Sequence, residues 1–148
     1  MIETVQDKLV ITIATQKDLP DIYHICDTFK DYPGIDSGVL KESIKSMVEI
    51  GGILLAEING NIVGGVAGYV MPGLYNGDLI FSVMFLYMKK GYRQYTKKFI
   101  KELELVLLPT KVNKIVFGIL HSKVSHGYER FYRMMGYKKL ETHVYKNI

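Results

Sequence analysis

Cysteine is almost missing from this chain: Cys26 is the single one in 148 residues. No internal disulfide can form, and the core must hold without cross-links. Long apolar runs are missing too. The longest is bracketed by Asp78 and Lys89, far short of the roughly 20 residues that cross a bilayer, so no membrane segment is expected. The N-terminus lacks the basic, apolar and small-residue succession of a secretion signal, and with the lone thiol this points to a reducing cytoplasm. No repeat, low-complexity tract or linker interrupts the sequence. Residues 1–148 therefore read as one domain, long enough to bury roughly 68–70% of the surface its unfolded chain would expose, with no structural metal needed. Net charge is scarce as well: +4 is modest for a dedicated nucleic-acid binder.

What charge there is lies in one place. Between residues 88 and 114 stand eight cations (Lys89, Lys90, Arg93, Lys97, Lys98, Lys101, Lys111, Lys114) and two anions (Glu102, Glu104), a local surplus of six. The rest of the chain is therefore net negative by two. This basic segment follows the apolar run DLIFSVMFLYM and passes into FIKELELVLL, which has helical periodicity. A strand delivering the chain to a helix start is expected here. A helix start presents unpaired backbone N–H groups and the positive end of the dipole, which together favour a phosphate. A solvated basic helix face is the alternative.

The remaining elements follow from periodicity and turn chemistry. VITIA at 10–14 has strand composition. In TQKDLPDIYHICDTF either Thr15 caps with Asp18, or Asp18 caps with Pro20 in the first turn, and Leu19, Ile22, Tyr23, Cys26 and Phe29 recur at helical spacing. Cys26 on that face reads as a small core residue. A second helix begins near Asp36 or Ser37, with Leu40, Ile44, Met47 and Val48 as its buried stripe, and stops at Gly51-Gly52. ILLAEI and NIVGGVAGYV flank Asn59-Gly60, a strong hairpin signal. Gly64, Gly65 and Gly68 suggest a bulge or close backbone approach. KIVFGIL at 114–120 reads as a buried strand. SKVSHGYERFYRMMGY reads as a helix with Tyr128, Phe131, Tyr132 and Met135 on one face and Gly136 as its stop. YKKLETHVYKNI is expected to be a final strand or strand pair. The order β-α-α-β-β-β-α-β-α-β demands a mixed sheet with helices on both faces.

Over nearly the whole chain these segments resemble the GNAT superfamily of acyl-CoA-dependent N-acyltransferases. ITIATQKDLPDIYHI is similar to that family's opening strand and helix, ILLAEINGNIVGGVAGYV to its hairpin, FLYMKKGYR to the end of its fourth strand and the start of its pyrophosphate loop, and FYRMMGY to its late helix ending. The implied fold class is α/β, a mixed, mostly antiparallel central sheet with helices on both faces. The loop RQYTKKFI departs from the family's Arg or Gln, two residues, Gly, one residue, Gly or Ala. With Tyr92-Arg93 aligned on the family's Tyr-Arg the loop is about two residues short; with the helix aligned ungapped, Gly91, Gln94 and Thr96 take the signature positions.

The resemblance implies a reaction: an acyl group, most simply acetyl, moves from acetyl-CoA or another acyl-CoA to a small-molecule or protein amine. Cofactor contacts would fall to Met88, through nearby backbone N–H groups on the thioester carbonyl, and to Arg93, Gln94, Tyr95, Thr96, Lys97 and Lys98 at the helix start. Tyr132 matches the family tyrosine that protonates the departing thiolate; a phenol with a reference pKa near 10 holds a proton to give. Ser82 falls near the position where the family often carries a basic Glu, and serine cannot serve. His121, at the end of KIVFGIL, is then the candidate base, ahead of His126 and Asp78. Loops 30–37 and 71–78 would form the acceptor site, with Asp31, Asp36 and Asp78 able to attract a cationic amine. Homodimers are common in the family. The alternative, from another class, is a GNAT-fold binding module without catalysis, in which Tyr32, Tyr75, Tyr92 and Tyr95 join the basic stretch to hold a protein or nucleic acid.

Overall fold

The Asn59-Gly60 pair sets the turn from which the sheet grows. Both residues take positive φ, 53° and 79°, as a two-residue hairpin turn requires and as Asn and Gly do at least cost. They join β2 (Ile53–Ile58) to β3 (Asn61–Pro72). On one side β1 (Leu9–Ile13) pairs antiparallel with β2. On the other, β4 (Leu79–Met88) pairs antiparallel with β3, and β5 (Lys114–Phe117) lies parallel to β4. The sheet order is β1-β2-β3-β4-β5, mixed and mostly antiparallel. The computed structural model describes residues 7–73, 76–119 and 125–148. The chain divides into two units, Met1–Phe117, which holds the sheet, and Gly118–Ile148.

Two helices cover one face of this sheet. Thr15 and Asp18 make the expected capping pair, the Thr15 N–H donating to the Asp18 carboxylate at 2.9 Å. A short 3₁₀ turn follows and runs into α1 (Leu19–Asp27), with Pro20 in its first turn and Ile22, Ile25 and Cys26 buried. Asp36 caps α2 (Ser37–Glu49), accepting the Val39 N–H at 3.0 Å. That helix ends as its glycines foretell: Gly51 has φ 72°, and its N–H and that of Gly52 return to the carbonyls of Val48 and Met47 at 3.1 and 2.8 Å, closing a Schellman motif. Ile22, Cys26, Ile44, Met47 and Val48 pack with Ile53, Leu55 and Ala67 of the sheet.

The opposite face is closed by α3 (Thr96–Leu107). Its Phe99, Ile100 and Leu103 are 0% exposed, each contributing roughly 1.5–3 kcal/mol relative to an exposed side chain. Phe99 and Leu103 join Leu54, Val66, Phe81, Val83 and Met88 in one buried cluster. The expected helices on both faces are thus present within the first unit.

Three glycines let β3 sit close to its neighbours. A Cβ on Gly64 would collide with the Tyr87 carbonyl and the Met88 sulfur, and one on Gly68 would lie 2.6 Å from the Ser82 carbonyl. The β3–β4 register jumps between Ala67↔Phe85 and Gly68↔Val83, leaving Met84 unpaired as a bulge. Side chains alternate along a strand, so one extra residue reverses the parity. Phe81 and Val83 point to the α3 face before the bulge, whereas after it Leu86 and Met88 do so and Phe85 turns to α1 and α2.

In the second unit α4 (Ser125–Met134) is the regular element. Gly136 (φ 92°) ends it, its N–H bonding to Arg133 O and the Tyr137 N–H to Tyr132 O, both at 3.0 Å. The expected strand or strand pair in 137–148 is not formed: these residues carry no strand, and Val144 and Tyr145 are exposed. The second unit offers no strand among its described residues for them to pair with, and a lone strand leaves its backbone groups to water. KIVFGIL is likewise shorter than expected, with Gly118 and Ile119 irregular and Leu120 outside the described residues.

Candidate active site

β4 and β5 part company halfway. Their pairing ends at Val83↔Phe117, but β4 runs on to Met88. The Lys89 N–H bonds across to Val63 O on β3 at 2.8 Å. Successive strand residues direct their amides to opposite sides, so the N–H groups of Met88 and Leu86 face the edge that β5 has left. Donors aimed along one open edge can polarise a carbonyl placed there.

From that edge the chain turns directly into α3. Gly91 supplies the turn with φ 91°, and the Tyr92 N–H closes it on Lys89 O at 2.9 Å. A 3₁₀ turn, Arg93–Tyr95, precedes the helix. No side chain caps the start of α3, and no acidic residue lies in its first turn. Lys97 and Lys98 stand there exposed, against the sign that the helix dipole favours. Among the described residues Lys89, Lys90, Arg93, Lys97, Lys98 and Lys101 make none of the ion pairs found, which are Lys41–Asp27, Lys114–Asp78 and His143–Glu141. An anion of several charges would relieve both conditions together.

Two of the expected contact residues already serve the protein. The Tyr95 hydroxyl donates to Asp7 Oδ2 at 3.3 Å, and Asp7 Oδ1 accepts from Asn59 Nδ2 at 3.1 Å. The start of α3 is thereby tied to the β2–β3 turn. The Thr96 hydroxyl donates to Arg93 O at 2.7 Å. Their backbone N–H groups are engaged as well, that of Tyr95 on Tyr92 O and that of Thr96 on Arg93 O, while Arg93, Gln94, Lys97 and Lys98 present exposed side chains.

In the second unit Tyr132 lies on α4 against Phe131 and Tyr137, with ring centroids 5.4 and 5.8 Å apart. Burial, and then the neighbouring Tyr128, push its phenol up to about 12, so it holds its proton throughout the neutral range. His121 lies outside the described residues, as does Tyr75. His126 is exposed on α4. Asp78 sits at the opposite end of β4 from Met88, where the Lys114 ammonium at 2.8 Å and the Asn76 amide hold its carboxyl below the usual carboxylate range. That environment makes it a poorer base than a free carboxylate.

Sequence reasoning missed the other face of β4. Phe29, just past α1, meets Tyr32, Phe85 and Tyr87, each at a centroid distance of 5.3 Å. Beside them a cavity of about 40 Å³, lined by Ile22, Ile25, Cys26, Ile44, Phe85 and Tyr87, lies over Gly64 and Gly65. The signal was present: aromatics at i and i+2 on a strand, Phe85 and Tyr87, opposite a partner strand with glycine where side chains would fill the space.

No family model and no curated protein matches the sequence. Solved structures do match the fold. A possible acetyltransferase from Clostridium difficile 630 superposes with a TM-score of 0.77 at 12% identity, over 95% of this chain and 97% of that one. A ribosomal-protein-alanine N-acetyltransferase from Brucella melitensis biovar Abortus 2308 gives 0.72 at 15% identity, over 95% and 99%. An aminoglycoside N-acetyltransferase in complex with CoA gives 0.74 at 10% identity, over 100% and 99%. At these identities the likeness is one of fold.

Proposed function

We propose, from the GNAT acetyltransferase fold that this chain has, that the protein is an N-acyltransferase moving an acyl group, most simply acetyl, from acyl-CoA to an amine. One observation carries the reading: the opened edge of β4 runs straight into an uncapped, basic start of α3. The residues there suit a pyrophosphate without the family's glycines, because the exposed charges of Arg93, Lys97 and Lys98 add to the backbone donors of the first turn.

Acyl-CoA would supply an activated thioester. The chain's part is to hold and polarise it. Arg93, Gln94, Lys97 and Lys98 would grip the phosphates through side chains, and Tyr95 and Thr96 would brace the turn that presents them. The Met88 N–H, on the open edge, would take the thioester oxygen. Tyr132 is the proton donor to the departing sulfur in this scheme, and His121 the candidate acceptor for the amine proton, directly or through water.

Titration calorimetry with acetyl-CoA at low salt tests the reading. Binding is expected, and the double variant Lys97→Gln/Lys98→Gln should weaken it about tenfold, with the deficit shrinking as salt screens the charges. Absence of binding at low salt in the unaltered protein would remove the proposal.

A further inference from the structure

The end of β4 has two unlike faces. Leu86 and Met88 share the buried cluster of Phe99 and Leu103, so α3 closes that side. The other side carries Phe85 and Tyr87, the aromatic contact with Phe29 and Tyr32, and the cavity over Gly64 and Gly65. Within the first unit, a molecule approaching the open β4 edge away from α3 meets this apolar surface. Among the described residues no carboxylate or ammonium lines the cavity. Of the acids between the end of α1 and the start of α2, Asp27 pairs with Lys41 at 2.6 Å and Asp36 caps α2, which leaves Asp31 exposed on the turn.

We infer that the acceptor is a hydrophobic monoamine, a primary amine on an aromatic or branched aliphatic body, and that the Phe29–Tyr32–Phe85–Tyr87 surface and its cavity select it. The inference rests on the acyltransferase reading and narrows it. A polyamine or aminosugar would bring several ammonium groups against a surface whose described residues offer one exposed carboxylate, Asp31, and the desolvation of the further ammoniums would go uncompensated. A monoamine buries apolar area there and exposes a single nitrogen to the thioester. The cavity accommodates a small alkyl group, and the exposed Tyr32, 57% accessible, can lie along a larger ring.

The same surface assists the chemistry. An apolar environment disfavours the ammonium form, so the bound amine releases its first proton more readily than in water. The nitrogen lone pair then attacks the acyl carbon, the C–N bond forms and the C–S bond breaks. The nitrogen gives up its second proton, one proton reaches the thiolate, and the products are amide, free thiol and one net proton.

Initial rates of thiol release from acetyl-CoA with 2-phenylethylamine, isopentylamine and spermidine test this. The monoamines should exceed spermidine in kcat/KM by about tenfold or more. Tyr32→Ala should raise KM for 2-phenylethylamine about fivefold while acetyl-CoA affinity stays constant. The midpoint of kcat against pH should lie below the pKa of the free amine. Spermidine as the better acceptor, acetyl-CoA binding with neither monoamine acetylated, an unmoved KM in Tyr32→Ala, or a midpoint at the free amine's pKa would each overturn the inference and leave acyl-CoA binding intact. Failure to bind acetyl-CoA would instead strike the underlying reading.

Discussion

Tyr132 shows how one residue can hold two jobs. Its carbonyl accepts the Tyr137 N–H that closes the helix end, and its ring packs on Tyr137. The Tyr…Gly-aromatic spacing in FYRMMGY is thus a helix stop in its own right, since Gly136 provides the positive φ and Tyr137 the accompanying hydrophobic contact. Tyr132→Phe keeps the ring and the carbonyl, so the fold and acetyl-CoA affinity should persist while kcat falls; unchanged kcat would show that water protonates the thiolate. The raised phenol also makes a pH statement. Above about pH 10 the unfolded tyrosine ionises while the folded one, at about 12, keeps its proton, so stability should decline between those values. Urea unfolding of the wild type and Tyr132→Phe across that range checks this, the variant being flatter. Asp78 behaves in the opposite sense. Its carboxyl is depressed by Lys114, so its contribution is present above about pH 4 and is lost as pH falls through the lower folded value. Asp78→Asn should flatten the acid limb of the unfolding curve without altering acetyl-CoA affinity.

At the scale of elements, the strand–helix junction was readable because its signals are local: an apolar run, a basic turn, a helical period. The hairpin was readable for the same reason, Asn59 and Gly60 carrying the turn in their own backbones. The glycines of β3 also foretold a bulge or close approach, but its place on β4 at Met84 and the assembly of the aromatic surface were not readable, since both depend on which β3 residue stands opposite which β4 residue, and register is a property of the pair. The tail failed by the same logic, because apolar residues such as Val144 and Tyr145 make a strand only beside another. Gly64 is where this pairing is most sensitive. Gly64→Ala would force β3 from β4 at Tyr87 and Met88, and should cost about 1–3 kcal/mol in urea unfolding. It should also weaken acetyl-CoA binding, through displacement of the Met88 amide. Asp36→Ala, by contrast, should cost about 1 kcal/mol through loss of the α2 cap.

Across the whole molecule, charge is distributed with a purpose that composition alone hides. A chain of +4 carries a basic segment of +6 and a remainder of −2, so its field is concentrated near α3. A polyanion should be drawn to that region before it docks. The association rate of acetyl-CoA, measured by stopped flow, should therefore fall with ionic strength more steeply than its dissociation rate changes. The identity of the acceptor was not legible in the sequence, for the surface that would choose it is assembled from α1, β3 and β4, residues far apart in the chain.

Met84 carries one last implication, for how this protein tolerates change. Its side chain is 64% exposed, so replacing it should be nearly silent. Keeping it but flattening the bulge would not be. With Met84 forced into regular pairing, strict alternation would turn Phe85 and Tyr87 into the α3 core and Leu86 and Met88 out of it, whereas deleting Met84 makes Val83 and Phe85 direct neighbours on the opposite faces they already occupy. In a saturation library, position 84 should accept most substitutions, and the single-residue deletion should still fold.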